Sequence, residues 1–96
     1  MAKHKEGKIE SYFMQQVEAH GGIQRKAKWL DRRGCPDRFW AFPKSKSMGF
    51  AEVKAPGEKL DAHQDRELEK MRAAGVKVYV LDTYDAVGLF IRLEAS

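Results

Sequence analysis

The chain is short and basic, and its composition excludes several classes of protein. Its 96 residues carry a formal net charge of +4, with 43% hydrophobic and 33% charged residues, which predicts one globular domain. No apolar run approaches the roughly 18 residues of a membrane span, and no signal-type segment follows the basic N-terminus. The single cysteine, Cys35, rules out an internal disulfide framework and fits a reducing, intracellular compartment. The positive charge leaves two interpretations open, a polyanionic partner or a merely solvated basic surface.

The first half of the chain predicts one helix followed by three strands. Residues 1–7 form a basic, loose lead-in, and the spacing of apolar residues predicts a helix at Lys8–His20 that stops at two glycines. Alternation predicts a strand with one basic face at Ile23–Trp29. Two further strand-like segments, Arg38–Phe42 and Gly49–Lys54, are joined by a polar loop. We expect these two segments to pair as an antiparallel hairpin.

The second half of the chain predicts a helix, a strand and a last helix. Asp61 and Gln64 match a capping box, which marks the start of the first of these helices. Val76–Leu81 is almost continuously apolar and β-branched, as is typical of a central strand. Asp82 or Thr83 caps the last helix. The residues expected to face inward from the two helices are Leu68, Met71, Val87, Phe90 and Ile91.

This order of elements predicts an α/β fold in a single domain over residues 1–96. The strand that carries Glu52, the helix that starts at Asp61 and the strand at Val76–Leu81 form a strand–helix–strand unit. The two strands of such a unit are parallel, whereas the preceding hairpin is antiparallel. The sheet is therefore expected to be mixed, with helices covering it.

Two carboxylates and a lysine are expected to converge at one end of this sheet. Side chains at i and i+2 share a face of a strand, so Glu52 and Lys54 point the same way and Val53 points the other way. If the loop over residues 44–48 closes a hairpin, Asp37 returns within a few residues of Glu52. Carboxylate oxygens and the backbone carbonyl of Val53 suit Mg²⁺, which takes one or two carboxylates and keeps several waters. Lys54 could orient or deprotonate a water and stabilise charge on a phosphate.

Each of these residues also has a simpler interpretation. Pro36-Asp37 is a common turn, Glu52 and Lys54 could lie on a solvated strand face, and Gln64 could serve only the capping box. An aromatic residue on the same strand face, Phe50, argues for partial cover of that face. Several other residues are interpreted without a catalytic role. They are the surface histidines His4, His20 and His63, the cysteine Cys35, and the core aromatics Trp29, Phe39 and Trp40.

Basic residues cluster around the predicted strands and are candidates for contacts with nucleic-acid phosphates. Such contacts position a protein on nucleic acid but do not read its sequence. The candidates are Lys26, Lys28, Arg32, Arg33, Lys44 and Lys46.

The order Pro-Asp, then Glu-Val-Lys, resembles the PD-(D/E)xK nuclease superfamily. Over residues 10–82, the segments "GCPD", "FAEVKAPGEKLDAHQ" and "AAGVKVYVLD" resemble more closely a virus-type replication-repair nuclease (VRR-Nuc) domain. The resemblance implies a restriction-endonuclease-like αβββαβα core. It also implies a phosphodiesterase that uses Mg²⁺ or Mn²⁺ and acts on DNA, with a metal-activated water as the nucleophile and no covalent enzyme intermediate.

The resemblance also assigns roles to individual residues. Asp37 and Glu52 match the metal-binding acids and Lys54 matches the catalytic lysine. Gln64 matches a glutamine on the helix after that strand, and Glu10 an acid often found on the first helix, where it is a further candidate metal ligand. The connection over residues 44–48 is short and the chain lacks the additional structure of larger family members, which leaves the substrate preference open.

The resemblance to small stand-alone nucleases of this superfamily implies a DNA endonuclease that is selective for branched DNA such as four-way junctions. Two other hypotheses remain, a non-catalytic DNA-binding domain on the same scaffold and a nuclease subunit that is active only in a larger replication or repair assembly. A homodimer is expected, because 96 residues bury little core and a two-fold pair of sites would match the paired strands of a junction. No membrane association is expected, and a phage gene in a bacterial host is compatible with the resemblance.

Overall fold

The computed structural model of the chain describes the backbone of residues 2–96 and the side chains of residues 7–96. Seven elements follow one another in the predicted order of helix, three strands, helix, strand and helix. They are α1 (Ala2–Ala19), β1 (Ile23–Lys26), β2 (Arg38–Phe42), β3 (Ser47–Val53), α2 (Ala62–Ala73), β4 (Val78–Leu81) and α3 (Tyr84–Glu94). None of the helices in this part of the chain combines the length and apolar character that a membrane crossing requires.

The four strands form one mixed sheet in the order β1-β2-β3-β4. The first three strands pair antiparallel, and β3 pairs parallel with β4, as expected for strands joined by the crossover helix α2. The predicted α/β class and mixed sheet are therefore confirmed. One face of the sheet packs against α1 and α3, and α2 contributes to the cover of the other face.

The main core lies between the sheet and the two terminal helices. In α1, Ile9, Phe13 and Val17 follow one another at intervals of four residues and are all buried, so a single stripe of the helix faces the sheet. Buried residues of β2, β3 and β4 meet this stripe together with α3. The core residues that these elements contribute are Trp40, Phe42, Ala51, Val53, Leu81, Val87, Phe90 and Ile91.

Two elements of the N-terminal half differ in length from the prediction. α1 begins at Ala2 rather than at Lys8, so the predicted lead-in is helical from Ala2 on, and Met1 lies outside the described residues. Gly7 sits on the exposed side of α1 with open space around it, so the glycine does not interrupt packing. β1 ends at Lys26 rather than Trp29, because β2 starts only at Arg38 and offers no strand partner beyond the bond from Ala27 N to Asp37 O.

The two central strands also start at residues other than those predicted. β3 begins at Ser47, two residues before the predicted start, and the Ser47 side chain is tied to Glu94 by a hydrogen bond. β4 begins at Val78 rather than Val76. The N–H of Val76 donates to the carbonyl of Met71 and Gly75 has a φ of +93°, so both residues belong to the C-terminal cap of α2.

A buried carboxylate, Glu94, connects the end of α3 to the sheet. Its Oε1 accepts a hydrogen bond from Lys77 Nζ at 2.8 Å and another from the Ser47 hydroxyl, and its Oε2 accepts one from the Tyr79 hydroxyl. Burial alone would raise the pKa of Glu94, but the hydrogen bonds from these three residues lower it below its usual value. The ionised carboxylate is therefore the form that the folded chain stabilises.

Replacing Glu94 by glutamine should lower the free energy of unfolding at neutral pH by about 2–3 kcal/mol, because charge-assisted hydrogen bonds are lost in a buried site. The effect should disappear in acid. The folded pKa lies below the usual value of 4.5, so the contribution is complete above 4.5 and is lost as the pH falls through the folded pKa. Urea unfolding across this range tests the prediction. Glu69→Gln, on the exposed side of α2, is the matched control, and equal losses in both variants would contradict it.

Candidate active site

The β2–β3 hairpin brings Asp37 and Glu52 to the same end of the sheet. Arg38 pairs with Ala51, so the next positions along the two strands place Asp37 opposite Glu52. The hairpin loop at residues 43–46 fixes this register, and the backbone of Asp37 is anchored on its other side by the N–H of Ala27 at 2.8 Å. The expected approach of the two acids follows from this pairing.

Glu52 and Lys54 lie on the sheet face that α2 covers, and neither is on a solvated surface. Glu52 is 9% exposed and Lys54 is 8% exposed. The N–H of Lys54 donates to the carbonyl of Leu81 at 2.9 Å, which continues the β3–β4 ladder past the end of β3. Both backbones are thus held by the central strands, so their side chains project from rigid positions. The interpretation of these residues as a solvated strand face is wrong.

Gln64 takes part in the capping box of α2 and also donates a hydrogen bond to Glu52. Its capping role therefore does not exclude a place beside the acids. Its Oε1 accepts the N–H of Asp61 at 3.0 Å, and its own N–H donates to Asp61 Oδ1 at 2.9 Å, which completes the capping box. This arrangement turns the amide so that Nε2 donates to Glu52 Oε2 at 3.2 Å. The cap therefore fixes which end of the amide faces Glu52.

Lys54 also lies near the N-terminus of α2. The N–H of Gln64 lowers the pKa of the Asp61 carboxyl against a smaller opposing effect of desolvation, and the charge of Lys54 contributes further to this lowering. Lys54 therefore lies within electrostatic reach of the cap as well as on the Glu52 face of β3. The three groups Glu52, Lys54 and Gln64 belong to one small region.

Pro36 accounts for the end of the hairpin ladder beside Asp37. The backbone N–H of Lys54 donates to β4, and backbone groups of successive strand residues point to opposite sides. The backbone N–H and C=O of Val53 therefore point toward β2, where the register places Pro36 opposite Val53. Proline has no N–H, so it cannot donate to the carbonyl of Val53. The Val53 carbonyl thus ends the ladder next to the two acids.

Gly34 allows the segment before Asp37 to pack directly on α2. Its φ is +82°, and a Cβ atom at this position would lie 2.5 Å from the carbonyl oxygen of His63 and 2.8 Å from the nitrogen of Gln64. Any side chain would push this segment away from the helix. The glycine therefore lets the segment that leads to Asp37 lie against the helix that carries Gln64.

Glu10 lies on the α1 side of the sheet and is engaged by two cations. Its Oε2 accepts a hydrogen bond from Arg38 Nε at 2.8 Å and lies 3.8 Å from Lys26 Nζ. The same ammonium is 2.8 Å from Asp37 Oδ2, and this hydrogen bond raises the pKa of Lys26. Lys26 thus connects Glu10 to Asp37. The Lys26 side chain is 60% exposed, so it is free to move into solvent.

The donor set at this end of the sheet fits a hard divalent cation. Within residues 7–96, no group of three or more His, Cys, Asp or Glu side chains could hold a metal ion. Mg²⁺, however, needs only one or two carboxylates, and takes its remaining ligands from carbonyls and water. Asp37, Glu52 and the Val53 carbonyl provide such a set, and the exposed Lys26 can yield its place beside Asp37.

The basic residues singled out in the sequence fall into three places. Lys26 and Lys28 line a cleft beside Asp37. Arg32 and Arg33 border a groove along α2. Lys44 and Lys46 lie in the hairpin loop at the opposite end of β2, roughly 15–20 Å from the acids along a five-residue strand. The structure therefore does not bring Lys44 and Lys46 to the acids.

The groove along α2 contains cations that the sequence analysis missed. It has a volume of about 330 Å³, and α2 contributes His63, Arg66 and Lys70 to its lining, which also includes the acids Asp31 and Glu67. These three residues are spaced three and four apart, which places them on one face of a helix, so a helical projection of the predicted α2 could have found them. His20 and His63 are exposed, as expected, and the His4 side chain lies outside the described residues.

Arg32 is committed to an ion pair rather than free for a phosphate. Its Nη2 lies 2.5 Å from Oε1 of Glu67, which is buried on α2, and this hydrogen bond lowers the pKa of Glu67. Cys35 is also within 3.7 Å of this carboxylate. Burial and the adjacent Glu67 raise the pKa of the Cys35 thiol, which keeps it protonated and agrees with its non-nucleophilic interpretation.

Known proteins resemble the chain over most of its length. No family model matches the chain. The chain is 43% identical over 81 residues to a protein described as "Putative nuclease p44" of Acyrthosiphon pisum secondary endosymbiont phage 1. The aligned segment covers 84% of this chain and 86% of that protein. A solved structure titled "VRR_NUC domain" superposes with a TM-score of 0.83 at 35% identity, over 92% of this chain and 95% of the other.

Identity and coverage of this size, with a shared fold, define a nuclease domain. The chain belongs to the VRR-Nuc family, and the resemblance seen in its sequence is confirmed.

Proposed function

We propose that the protein is a Mg²⁺- or Mn²⁺-dependent DNA endonuclease that hydrolyses phosphodiester bonds with an activated water. The observation that carries this proposal is the hydrogen bond from Gln64 to the buried Glu52, opposite Asp37 and beside Lys54. A buried carboxylate held by a fixed amide is preorganised, which favours a ligand over a surface acid. A bound divalent metal would acidify water and neutralise phosphate charge.

Each residue has a separate role in this proposal. Asp37, Glu52 and the carbonyl of Val53 hold the metal, and Gln64 orients the Glu52 carboxylate. Lys54 orients or deprotonates the attacking water and stabilises the charge that develops on the phosphate. Glu10 acts indirectly, because its carboxylate, which already accepts from Arg38, offers the Lys26 ammonium a second partner when the metal takes its place beside Asp37.

DNA is proposed as the substrate because of the cations around the acids. The cleft with Lys26 and Lys28, which Asp37 also lines, and the separate groove along α2 with Arg33 and Arg66 form two basic tracks. Lys44 and Lys46 are proposed to contact phosphates further along the duplex. Arg32 is proposed to fix the shape of the groove through its ion pair with Glu67. Contacts of this kind are salt-dependent and independent of sequence.

A cleavage panel of linear, flapped and four-way DNA, with and without Mg²⁺, tests the proposal. We expect cleavage only with the metal and fastest on branched DNA. Binding to the DNA without cleavage of a single substrate in the panel would favour a DNA-binding domain. Cleavage that appears only after host or phage extract is added would favour a subunit of a larger assembly. Equal cutting of all members would leave the nuclease but remove the preference for branched DNA.

A homodimer is proposed from an uncovered apolar row at the β1 side of the sheet. Ile23 pairs with Ala41 and Ala41 with Met48, which places the three side chains side by side. Ile23 is 44% and Met48 is 63% exposed, and the row borders a hollow of about 380 Å³ next to the edge strand β1. A second copy related by a two-fold axis would bury this surface.

Light scattering at micromolar concentration should give a dimer mass for the native chain and a monomer mass for Met48→Glu, because a charge would be buried at the interface. The matched control is Leu93→Glu, at an exposed position of α3. A dimer that Leu93→Glu alone dissolves would place the interface on α3, and a monomer mass for the native chain would contradict the proposal.

A further inference from the structure

Trp29 is an exposed aromatic residue, contrary to the expectation that it belongs to the core. The residue is 37% exposed, whereas Trp40, the other tryptophan, is completely buried between the sheet and α3. β1 ends before Trp29, so the indole is not part of the sheet surface. Burial in the core therefore does not account for the position of this ring.

The orientation of the Trp29 ring is fixed by two contacts. Its Nε1 donates to the carbonyl of Pro36 at 2.7 Å, and its ring packs against Phe50 with the ring centres 5.5 Å apart. Pro36 immediately precedes Asp37, and Phe50 lies two residues before Glu52 on the same strand face. The indole thus contacts both the segment that leads to Asp37 and the strand that carries Glu52.

The exposed part of Trp29 lines the cleft beside Asp37. This cleft has a volume of about 450 Å³, within the range of small-ligand sites, and its other lining residues include Lys26, Lys28 and Asp37. Two cations suit the phosphates of a nucleic acid strand, and a rigid half-exposed ring offers a surface on which a base can stack. A nucleotide in this cleft would lie next to Asp37.

We propose that Trp29 stacks on an unpaired nucleobase next to the scissile phosphate, so that the enzyme recognises a single-stranded nucleotide at that position. This inference rests on the proposed nuclease function and specifies its substrate. Bases in a continuous duplex are stacked on each other, so their faces are not available to the indole. A flap, a fork or an opened junction presents an unpaired base and would therefore be preferred over intact duplex.

Binding in the absence of divalent metal tests the stacking separately from cleavage. The native chain is titrated in EDTA with an oligo-dT strand and with a blunt duplex of the same length, and tryptophan emission is recorded. We expect the single strand to quench the emission of Trp29 and the duplex to leave it unchanged. Trp40 is fully buried and serves as the internal reference. No response to the single strand would overturn the proposal without any variant being made.

Substitution of the ring provides the second measurement. Trp29→Leu keeps an apolar side chain against Phe50 but removes the stacking surface, and should weaken binding of the single strand by roughly 5–150-fold while duplex binding is unchanged. Trp29→Phe should retain part of the affinity, because it keeps an aromatic face. Leu30→Ala is the control, since Leu30 is 81% exposed and adjacent.

The outcomes separate this inference from the proposed nuclease function. Equal weakening of single-strand and duplex binding in Trp29→Leu would overturn the stacking role, as would full affinity in that variant. An active nuclease with no fluorescence response would retain the proposed function and lose the inference. A protein that shows the response but never cleaves would retain the stacking and lose the function.

Discussion

Glu52→Gln and Asp37→Asn should each reduce Mg²⁺-dependent cleavage below detection while the chain remains folded. Both substitutions preserve the shape of the side chain and remove one negative charge from the proposed ligand set. A hard divalent cation is held chiefly by carboxylates, so losing one of two should also weaken metal affinity strongly. Calorimetric titration with Mn²⁺ and a cleavage assay on the same preparations measure the two effects.

Two exposed acids on α2 provide matched control variants for these substitutions. Asp65 and Glu69 are exposed on α2, and Asp65→Asn and Glu69→Gln remove the same charge without touching the acids at the sheet end. These two variants should retain both cleavage and Mn²⁺ affinity. If Glu52→Gln and Asp37→Asn bind Mn²⁺ as tightly as the native chain, the assignment of these acids as ligands is wrong.

Lys54→Ala should slow cleavage by roughly 100–1,000-fold, because one preorganised group that stabilises developing charge is lost. Metal and DNA binding should be retained, since the acids and the basic tracks are unchanged. Lys54→Met is the more conservative variant, because it fills the same buried space without the charge. The single-turnover rate with saturating enzyme measures the chemical step apart from binding.

Lys59→Ala is the control for a lost lysine, since Lys59 is exposed in the loop that follows β3. It should cleave at nearly the native rate. Near-normal turnover in both Lys54 variants would remove this lysine from the mechanism. A loss of metal affinity in Lys54→Met equal to that of Glu52→Gln would instead show that the lysine organises the site rather than the reaction.

Local patterns in the sequence were sufficient to predict the order of elements and the proximity of the central candidate residues. The capping box of Asp61 and Gln64 depends on residues three apart, and the shared face of Glu52 and Lys54 depends on the alternation of a strand. Both signals are independent of the rest of the fold. The approach of Asp37 to Glu52 also needed only a hairpin of the right length.

Contacts between distant segments could not be predicted in the same way. The three donors to Glu94 come from β3, β4 and the residue before β4, and the pairing of Glu10 with Arg38 depends on how α1 lies across the sheet. The exposure of Trp29 depends on where β1 loses its partner strand. These features are set by tertiary packing, which overrides local preference.

The proposed metal ligands, the lysine and the orienting glutamine all lie within residues 37–64, on one hairpin and the helix that follows it. Loops that close over so few residues cost little chain entropy. Their geometry is set by the hairpin register, by the contact of Gly34 with α2 and by backbone hydrogen bonds to Ala27 and Leu81. Lengthening the chain before α1 or after α3 would therefore leave the relative positions of these groups unchanged. Under the proposed function, residues 37–64 would therefore form a catalytic unit that keeps its geometry when further sequence is attached at either end.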